Sequence, residues 1–187
     1  MKNIVLVSAM LMLALVGVGI QPIRAQEVVS EPSAQINLSQ LLEAKKDEIV
    51  TYQSRREAMI RVLTRYNSPL VNHVDSFIEA TDRYQLEDYF LISIAGVEST
   101  FAQRMINGTY NAYGYGRGRI AFDSWEHGID TLGFKLRENY INRGALTIEQ
   151  IGPRYAGGST SWAPKVRFFM SQFKQEEDSI REMHQYL

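Results

Sequence analysis

The chain has 187 residues, of which 45% are apolar, and a formal charge of −1 at neutral pH. A chain of this size can bury one compact core but hardly two, so we expect a single folded domain with shorter segments attached. The near-neutral charge argues against the basic surface that nucleic-acid binding needs. The sequence contains no cysteine, which excludes disulfides, thiol catalysis and cysteine-ligated zinc.

Residues 1–25 have the composition of an export signal. A short cationic start is followed by an uncharged, mostly apolar run over residues 4–20. Ala25 suits the last position before cleavage, although Ile23 is larger than the site prefers. Because the run is longer than most signal-peptide cores and short for a membrane span, both cleavage after Ala25 and a retained membrane anchor are consistent with it. In either case we expect the domain to be exported, to the periplasm, the cell envelope or the extracellular space.

Residues 26–35 are polar, include a proline and lack periodicity, which predicts a tether. Residues 36–67 carry apolar residues at three- and four-residue steps among many charged ones, which predicts a long amphipathic helix. The apolar positions are Leu41, Leu42, Ile49, Tyr52, Met59, Ile60 and Leu63. This stripe can lie against the domain or pair with a helix of a protein partner.

Residues 68–187 predict a helical domain. Ser68 before Pro69 is a typical helix start, and the run Tyr89–Val97 is apolar on all sides, as expected of a buried central helix. Residues 102–121 contain four glycines among several tyrosines, which favours a glycine-rich loop or a small β-hairpin.

Three more helix starts follow this irregular segment. Asp123 with Glu126 has capping-box spacing with Asp123 as N-cap, Thr147 precedes a short helix to Tyr155, and Ser161 precedes a long final helix. The expected fold class is therefore all-α, with helices around a buried central helix and one small irregular or β-hairpin lobe.

Glu98 stands at the end of the predicted central helix. It lies one turn beyond Ile94 and Ala95, so helical geometry places it on a face that is otherwise buried. Burial and the negative end of the helix dipole both raise the pKa of a carboxyl group. A raised pKa suits a general acid that protonates a glycosidic oxygen near neutral pH. The alternative is an ordinary exposed glutamate at a frayed helix end.

Four segments occur in an informative order: Glu98-Ser99 with Phe101, Asn111-Ala112-Tyr113-Gly114, Phe122–Ile129, and Arg154-Tyr155-Ala156 with Trp162–Val166. Together they resemble motifs of the lysozyme-like superfamily, namely those of soluble-type lytic transglycosylases and endo-β-N-acetylglucosaminidases. The corresponding motifs are Glu-Ser, Asn-x-Phe-Gly, a helix start with Ser-x-x-Glu, and the pair Tyr-Ala and Tyr-x-x-Lys-Val. The resemblance covers approximately residues 69–174.

The resemblance implies an enzyme that cleaves peptidoglycan glycan strands, with Glu98 as its catalytic acid. It places Tyr155 across the cleft, where a phenol orients the substrate or stabilises positive charge. It implies substrate contacts by residues of the irregular segment and its flanks: Ser99, Asn111, Tyr113, Gly114, Tyr115 and Trp125. Aromatic rings can stack on sugars, and Tyr113 is the preferred contact of this kind. Packing within the domain is the alternative role for these rings.

Hydrolysis of this type normally needs a second carboxylate, and none occurs between Ser99 and Phe122. Lytic transglycosylases use a single acid, because the 6-hydroxyl of the substrate attacks C1. The sequence therefore slightly favours a lytic transglycosylase that cuts the β-1,4 bond between N-acetylmuramic acid and N-acetylglucosamine. A glucosaminidase hydrolase and a non-catalytic glycan-binding or scaffold protein of the envelope are the alternatives.

No metal or cofactor is expected. His73, His127 and His184 lack the spacing of metal ligands. No nucleophile elbow, phosphate-binding loop or dinucleotide fingerprint occurs. The expected partners are peptidoglycan glycan strands, without nucleic acid.

Overall fold

The computed structural model describes residues 32–185, and the chain divides into two units, residues 1–40 and 41–187. In the first unit, the described part is the beginning of helix α1 (Pro32–Arg65). The tether predicted over residues 26–35 therefore ends early, since proline is favoured in the first turn of a helix. The predicted export segment and residues 26–31 lie outside the described residues. No helix within the described range is long and apolar enough to cross a membrane.

The second unit is all-α, as predicted. After α1 come α2 (Val74–Arg83), α3 (Phe90–Ser99), α4 (Trp125–Asn139), α5 (Ile148–Tyr155) and α6 (Trp162–Gln185), with 3-10 helices at Pro69–His73 and Ile141–Arg143. No β-strand occurs among residues 32–185, so the alternative of a β-hairpin is wrong. The long connection between α3 and α4, residues 100–124, is a series of turns that we call the connecting loop. It bends rather than extends because many of its residues have positive φ, including Tyr110, Gly114 and Arg117.

Helix α3 is the central helix, as its apolar sequence predicts. Its residues from Phe90 to Gly96 are all buried, and it packs against α6, α2 and α4. At Gly96 the neighbouring rings come very close, since an added Cβ would lie 2.8 Å from the ring of Phe101 and 3.0 Å from that of Phe169. A larger residue at this position would separate α3 from α6. The close packing at Gly96 therefore fixes the position of the end of α3.

The part of α1 in the second unit has two different halves. Met59, Val62 and Leu63 are fully buried in the core, and Arg61 and Arg65 pair with Glu176 of α6. The earlier part of the predicted apolar stripe is exposed, at Leu41, Leu42, Ile49 and Tyr52. Half of the stripe therefore packs against the domain, and helix-mediated pairing of the other half with a partner stays a prediction.

The predicted helix starts are largely confirmed. The Ser68 hydroxyl accepts a hydrogen bond from Leu70 N at 3.1 Å, and Thr147 forms a capping box with Gln150. The N-cap of α4 is Ser124 rather than Asp123. Ser124 has the extended backbone that an N-cap needs, and its hydroxyl accepts from the backbone N of His127.

Candidate active site

Glu98, the second-last residue of α3, lies where two cavities meet. The first, of about 420 Å³, we call the aromatic cavity; it is lined by Val97, Glu98, Tyr113, Gly114, Tyr115, Gly116, Tyr140, Tyr155, Ala156 and Trp162. The second, of about 330 Å³, we call the basic cavity; it is lined by Glu98, Ser99, Arg104, Met105, Ile106, Asn111, Gly114, Arg117 and Gly118. Both fall in the range of about 300–1,000 Å³ that small-molecule sites occupy.

The Glu98 carboxylate is held by Trp162 at the start of α6. The indole Nε1 donates to Oε1 of Glu98 at 2.8 Å. Glu98 as a whole residue is exposed, yet burial of its carboxylate raises its pKa above the ordinary value, as the sequence predicts. The burial of the carboxylate, rather than that of the whole residue, determines the pKa because the carboxylate is the group that titrates. The Trp162 hydrogen bond and the charge of Lys165 favour the ionised form and oppose the rise.

Tyr155, the last residue of α5, lines the same cavity as Glu98. Its ring centre lies 4.9 Å from that of Trp162 and 6.1 Å from that of Tyr140. Burial raises the pKa of Tyr155, and the nearby negative charge of Glu98 raises it further. The phenol therefore stays protonated and can donate a hydrogen bond to a ligand. The structure brings the two predicted catalytic residues into one cavity, while the catalytic role of Tyr155 stays a prediction.

Tyr113 borders the aromatic cavity but does not present a flat face to it. Its side chain is almost fully buried, at 3% exposure, so the expectation that its ring stacks on a sugar is wrong. The turn that contains Tyr113 points the ring into the core, beside Ala112. Its hydroxyl oxygen is buried and has no hydrogen-bond partner among the described residues. Burial raises the pKa of this phenol well above its usual range.

Ser99 holds the connecting loop against the end of α3. Its Oγ lies 2.6 Å from the carbonyl oxygen of Ala112 and accepts from the backbone N of Ala102 at 2.8 Å. Ser99 is 3% exposed, and these bonds occupy its hydroxyl. Although Ser99 borders the basic cavity, the predicted substrate contact is therefore replaced by a structural one.

Asn111 has a similar role within the loop itself. Its Nδ2 donates to the carbonyl oxygens of Tyr115 and Ile120 at 2.8 and 2.9 Å, and its Oδ1 accepts from Tyr115 N at 3.0 Å. The side chain is buried, and its amide oxygen and nitrogen both bond to the loop backbone. Asn111 thus shapes the loop, and the prediction that it contacts the substrate is not supported by this geometry.

Gly114 and Tyr115 form the loop side of the cleft, and their predicted contacts with a substrate stay predictions. Gly114 lies between the two cavities with φ of +62°, and a Cβ added there would lie 3.8 Å from Oε2 of Glu98. Glycine therefore suits the left-handed turn, whereas a Cβ at this distance from the carboxylate would make only an ordinary contact. The ring of Tyr115 lines the aromatic cavity, with the Lys135 ammonium 5.0 Å from its centre.

Trp125 lines neither of these two cavities, and its predicted role in substrate binding stays a prediction. Its ring packs at 5.4 Å from Tyr110 and 6.1 Å from His73, measured between ring centres. Two aromatic residues that line the aromatic cavity, Trp162 and Tyr140, were missed as site residues. Trp162 had a signal in the sequence, since it stands in the segment that resembles Tyr-x-x-Lys-Val, whereas Tyr140 had none.

Among the residues that the structure describes, Glu98 is the only acidic one that lines either cavity. The next three acids after Glu98 in the sequence have other partners. Asp123 Oδ2 lies 3.3 Å from His127 Nδ1, Glu126 Oε1 lies 2.5 Å from His73 Nδ1, and Asp130 accepts from the hydroxyl of Tyr84 at 2.9 Å. Within the described part of the chain, no group of three or more His, Asp or Glu side chains could hold a metal ion. The acidic group at the junction is thus the Glu98 carboxyl, whose pKa is raised by burial.

We compared the chain with models of protein families and with curated proteins. Neither comparison finds a match. Any assignment of function therefore depends on the residues of the cleft and on the motifs that supply them.

Proposed function

We propose that this protein cleaves β-1,4 glycosidic bonds of peptidoglycan glycan strands, with Glu98 as general acid and then general base. The single observation that carries the proposal is the Glu98 carboxyl group at the junction of two cavities, held by Trp162 and with its pKa raised by burial. A protonated carboxyl group in a cleft of this size can donate its proton to the oxygen of a bound glycosidic bond.

The aromatic cavity supports a sugar as the ligand. It is bordered by Tyr115, Tyr140, Tyr155 and Trp162, which combine apolar ring faces with polar groups. Sugars have the same combination, with C–H faces and hydroxyl edges. The motifs that resemble those of the lysozyme-like superfamily supply two of these rings, Tyr155 and Trp162, and Glu98 itself, which favours that superfamily and its peptidoglycan substrate.

The absence of a second acid favours a lytic transglycosylase over a hydrolase. In the proposed reaction, Glu98 donates its proton to the glycosidic oxygen and the C1–O bond breaks. The 6-hydroxyl oxygen of the same sugar then forms a bond to C1, and its proton passes to the Glu98 carboxylate. The product carries a 1,6-anhydro ring, and no water is consumed. A hydrolase would need a second carboxylate to activate water, and neither cavity is lined by one.

The test is cleavage of purified peptidoglycan by the wild type and by Glu98→Gln. Glutamine can still accept the Trp162 hydrogen bond but cannot donate a carboxyl proton, so activity should fall at least a hundredfold, in line with general-acid contributions of about 10²–10⁴. Glu79→Gln is the matched control, because Glu79 is exposed on α2 and lines neither cavity. Retention of activity by Glu98→Gln, with the control equally active, would refute the assignment.

Mass spectrometry of the released fragments separates the two enzyme classes. A lytic transglycosylase leaves anhydro ends, which are one water lighter than the reducing ends that a hydrolase leaves. A wild-type protein that binds glycan strands but releases no fragments would instead support a non-catalytic glycan-binding protein. We place this activity outside the cytoplasmic membrane, because peptidoglycan lies there and residues 1–25 have the composition of an export signal.

A further inference from the structure

The cleft differs chemically on the two sides of Glu98. On one side, the described residues that line the aromatic cavity include five aromatic residues and no basic residue. On the other side, the basic cavity is lined by Arg104 and Arg117 and by no aromatic ring. The two sides therefore suit different parts of one ligand: an apolar sugar face on the first and a negatively charged group on the second.

The two arginines of the basic cavity have no ionic partner among residues 32–185. Among the described residues, Arg104 and Arg117 form no ion pair or side-chain hydrogen bond. Seven other arginines do form ion pairs with acidic residues: Arg55, Arg56, Arg61, Arg65, Arg83, Arg167 and Arg181. No Asp or Glu occurs between Ser99 and Phe122 to neutralise this part of the loop. Both guanidinium groups are thus available to a ligand.

The fork of a guanidinium group fits a carboxylate through two parallel hydrogen bonds. We propose that the basic cavity binds a carboxylate carried by the glycan next to the bond that is cut. This inference rests on the proposed function, since it assumes that a glycan occupies the cleft. It adds a substrate requirement: the sugar on the basic side of Glu98 bears an acidic substituent, and the sugar on the aromatic side needs none.

The muramoyl sugar is the acidic residue of such a strand, and its carboxylate has two sources. A sugar without its peptide has a free lactyl carboxylate, whereas a sugar with its peptide has the carboxylates of the stem. Both present the same chemical group to Arg104 and Arg117, and neither occurs in a neutral oligomer of N-acetylglucosamine. Comparison of the three ligands therefore tests the proposal and identifies the source.

The experiment measures binding to the Glu98→Gln protein, which should retain the cleft without turnover, by the change in tryptophan fluorescence. Trp162 borders the aromatic cavity and reports its occupation. The probes are chitotetraose and a tetrasaccharide of alternating N-acetylglucosamine and N-acetylmuramic acid, with and without its peptides. We expect the acidic probes to bind more tightly than chitotetraose and to weaken as salt is raised, because charge pairs at an open cleft are screened.

Arg117→Gln and Arg104→Gln, each in the Glu98→Gln background, should weaken binding of the acidic probes about tenfold, as expected for loss of one charge-assisted hydrogen bond. They should leave chitotetraose binding unchanged. Arg119→Gln is the matched control, because Arg119 is an exposed arginine of the same loop that lines neither cavity. It should not alter the binding of any probe.

The outcomes separate this inference from the proposed function. Equal affinity for neutral and acidic probes, or equal weakening of both by Arg117→Gln, would overturn the carboxylate site and leave glycan cleavage standing. Failure of all three probes to bind would overturn both proposals. Preference for the probe with or without peptides would support the site and show which carboxylate it takes.

Discussion

The two walls of the cleft are built in different ways. The helical wall consists of Glu98, Tyr155 and Trp162, each at the end or the start of a helix that is packed into the core. The loop wall consists of Tyr113–Gly116, which belong to no helix and are held by hydrogen bonds from Ser99 and Asn111. The first wall is fixed by burial of apolar surface, and the second by a few buried polar groups.

Because of this difference, the titrating group and the shape of the cleft depend on different parts of the molecule. The group with the raised pKa stands on the rigid wall, where a change of position would require repacking of α3 against α6. The loop wall lines both cavities, so it determines which ligand fits beside that group. We therefore expect changes in the helical wall to act on the whole domain and changes in the loop wall to act locally.

The largest effect is expected from Phe173→Ala in α6. Phe173 is fully buried, stacked at 5.3 Å on Tyr89 and edge-on at 5.9 Å to Phe101, between ring centres. Its truncation should lower the free energy of unfolding by about 3–5 kcal/mol, measured by urea denaturation followed by circular dichroism. Phe168→Ala is the control, because Phe168 is exposed on the same helix, and it should cost less than about 0.5 kcal/mol. Equal costs would contradict the assignment of α6 to the supporting core.

A smaller effect is expected from Asn111→Ala in the loop. The change leaves three backbone groups, of Tyr115 and Ile120, without their partner. We expect a loss of about 2–3 kcal/mol, confined to the loop, so that hydrogen exchange quickens over residues 111–120 and not in α3. Asn107→Ala, at an exposed position of the same loop, should leave exchange unchanged. Faster exchange throughout α3 would show that the two walls are not independent.

The same difference explains what the sequence could predict. The order of the helices, the burial of α3 and the raised pKa of Glu98 follow from patterns within a few residues. The Trp162 bond to Glu98 joins residues 64 positions apart, so no local pattern indicates it. The inward direction of Tyr113 depends on a turn geometry that the glycines permit but do not determine. Local patterns thus predict the helices and the raised pKa of Glu98, whereas long-range contacts determine which aromatic rings line the cleft.

The backbone is strained at the junction of the two walls, so a substitution that relieves this strain should stabilise the protein. Thr100, Phe101 and Ala102 all have positive φ directly after α3, and this conformation costs a residue with a Cβ about 1–2 kcal/mol. Thr100→Gly removes the steric cost at one position and adds some unfolded-state entropy, so the net gain should be about 0.5–1 kcal/mol. Thr131→Gly, inside α4, should instead destabilise the protein, by about 0.3–0.5 kcal/mol from helix propensity alone. A loss of stability in Thr100→Gly would show that the loop needs the threonine side chain.

The most subtle test concerns the pKa of Glu98, whose rise by burial is opposed by the Trp162 hydrogen bond. Trp162→Phe removes the donor, so the ionised carboxylate becomes less favourable and the pKa should rise further. Because a general acid works only while protonated, activity falls as pH rises through this pKa, and the variant should retain activity to a higher pH than the wild type. Titration of the Glu98 carboxyl carbon by NMR measures the same shift without any substrate. Trp125→Phe is the control, because Trp125 lines neither cavity, and it should leave the pKa of Glu98 unchanged. If Trp162→Phe lowered this pKa, water or Lys165, rather than the indole, would be the main group that stabilises the ionised carboxylate.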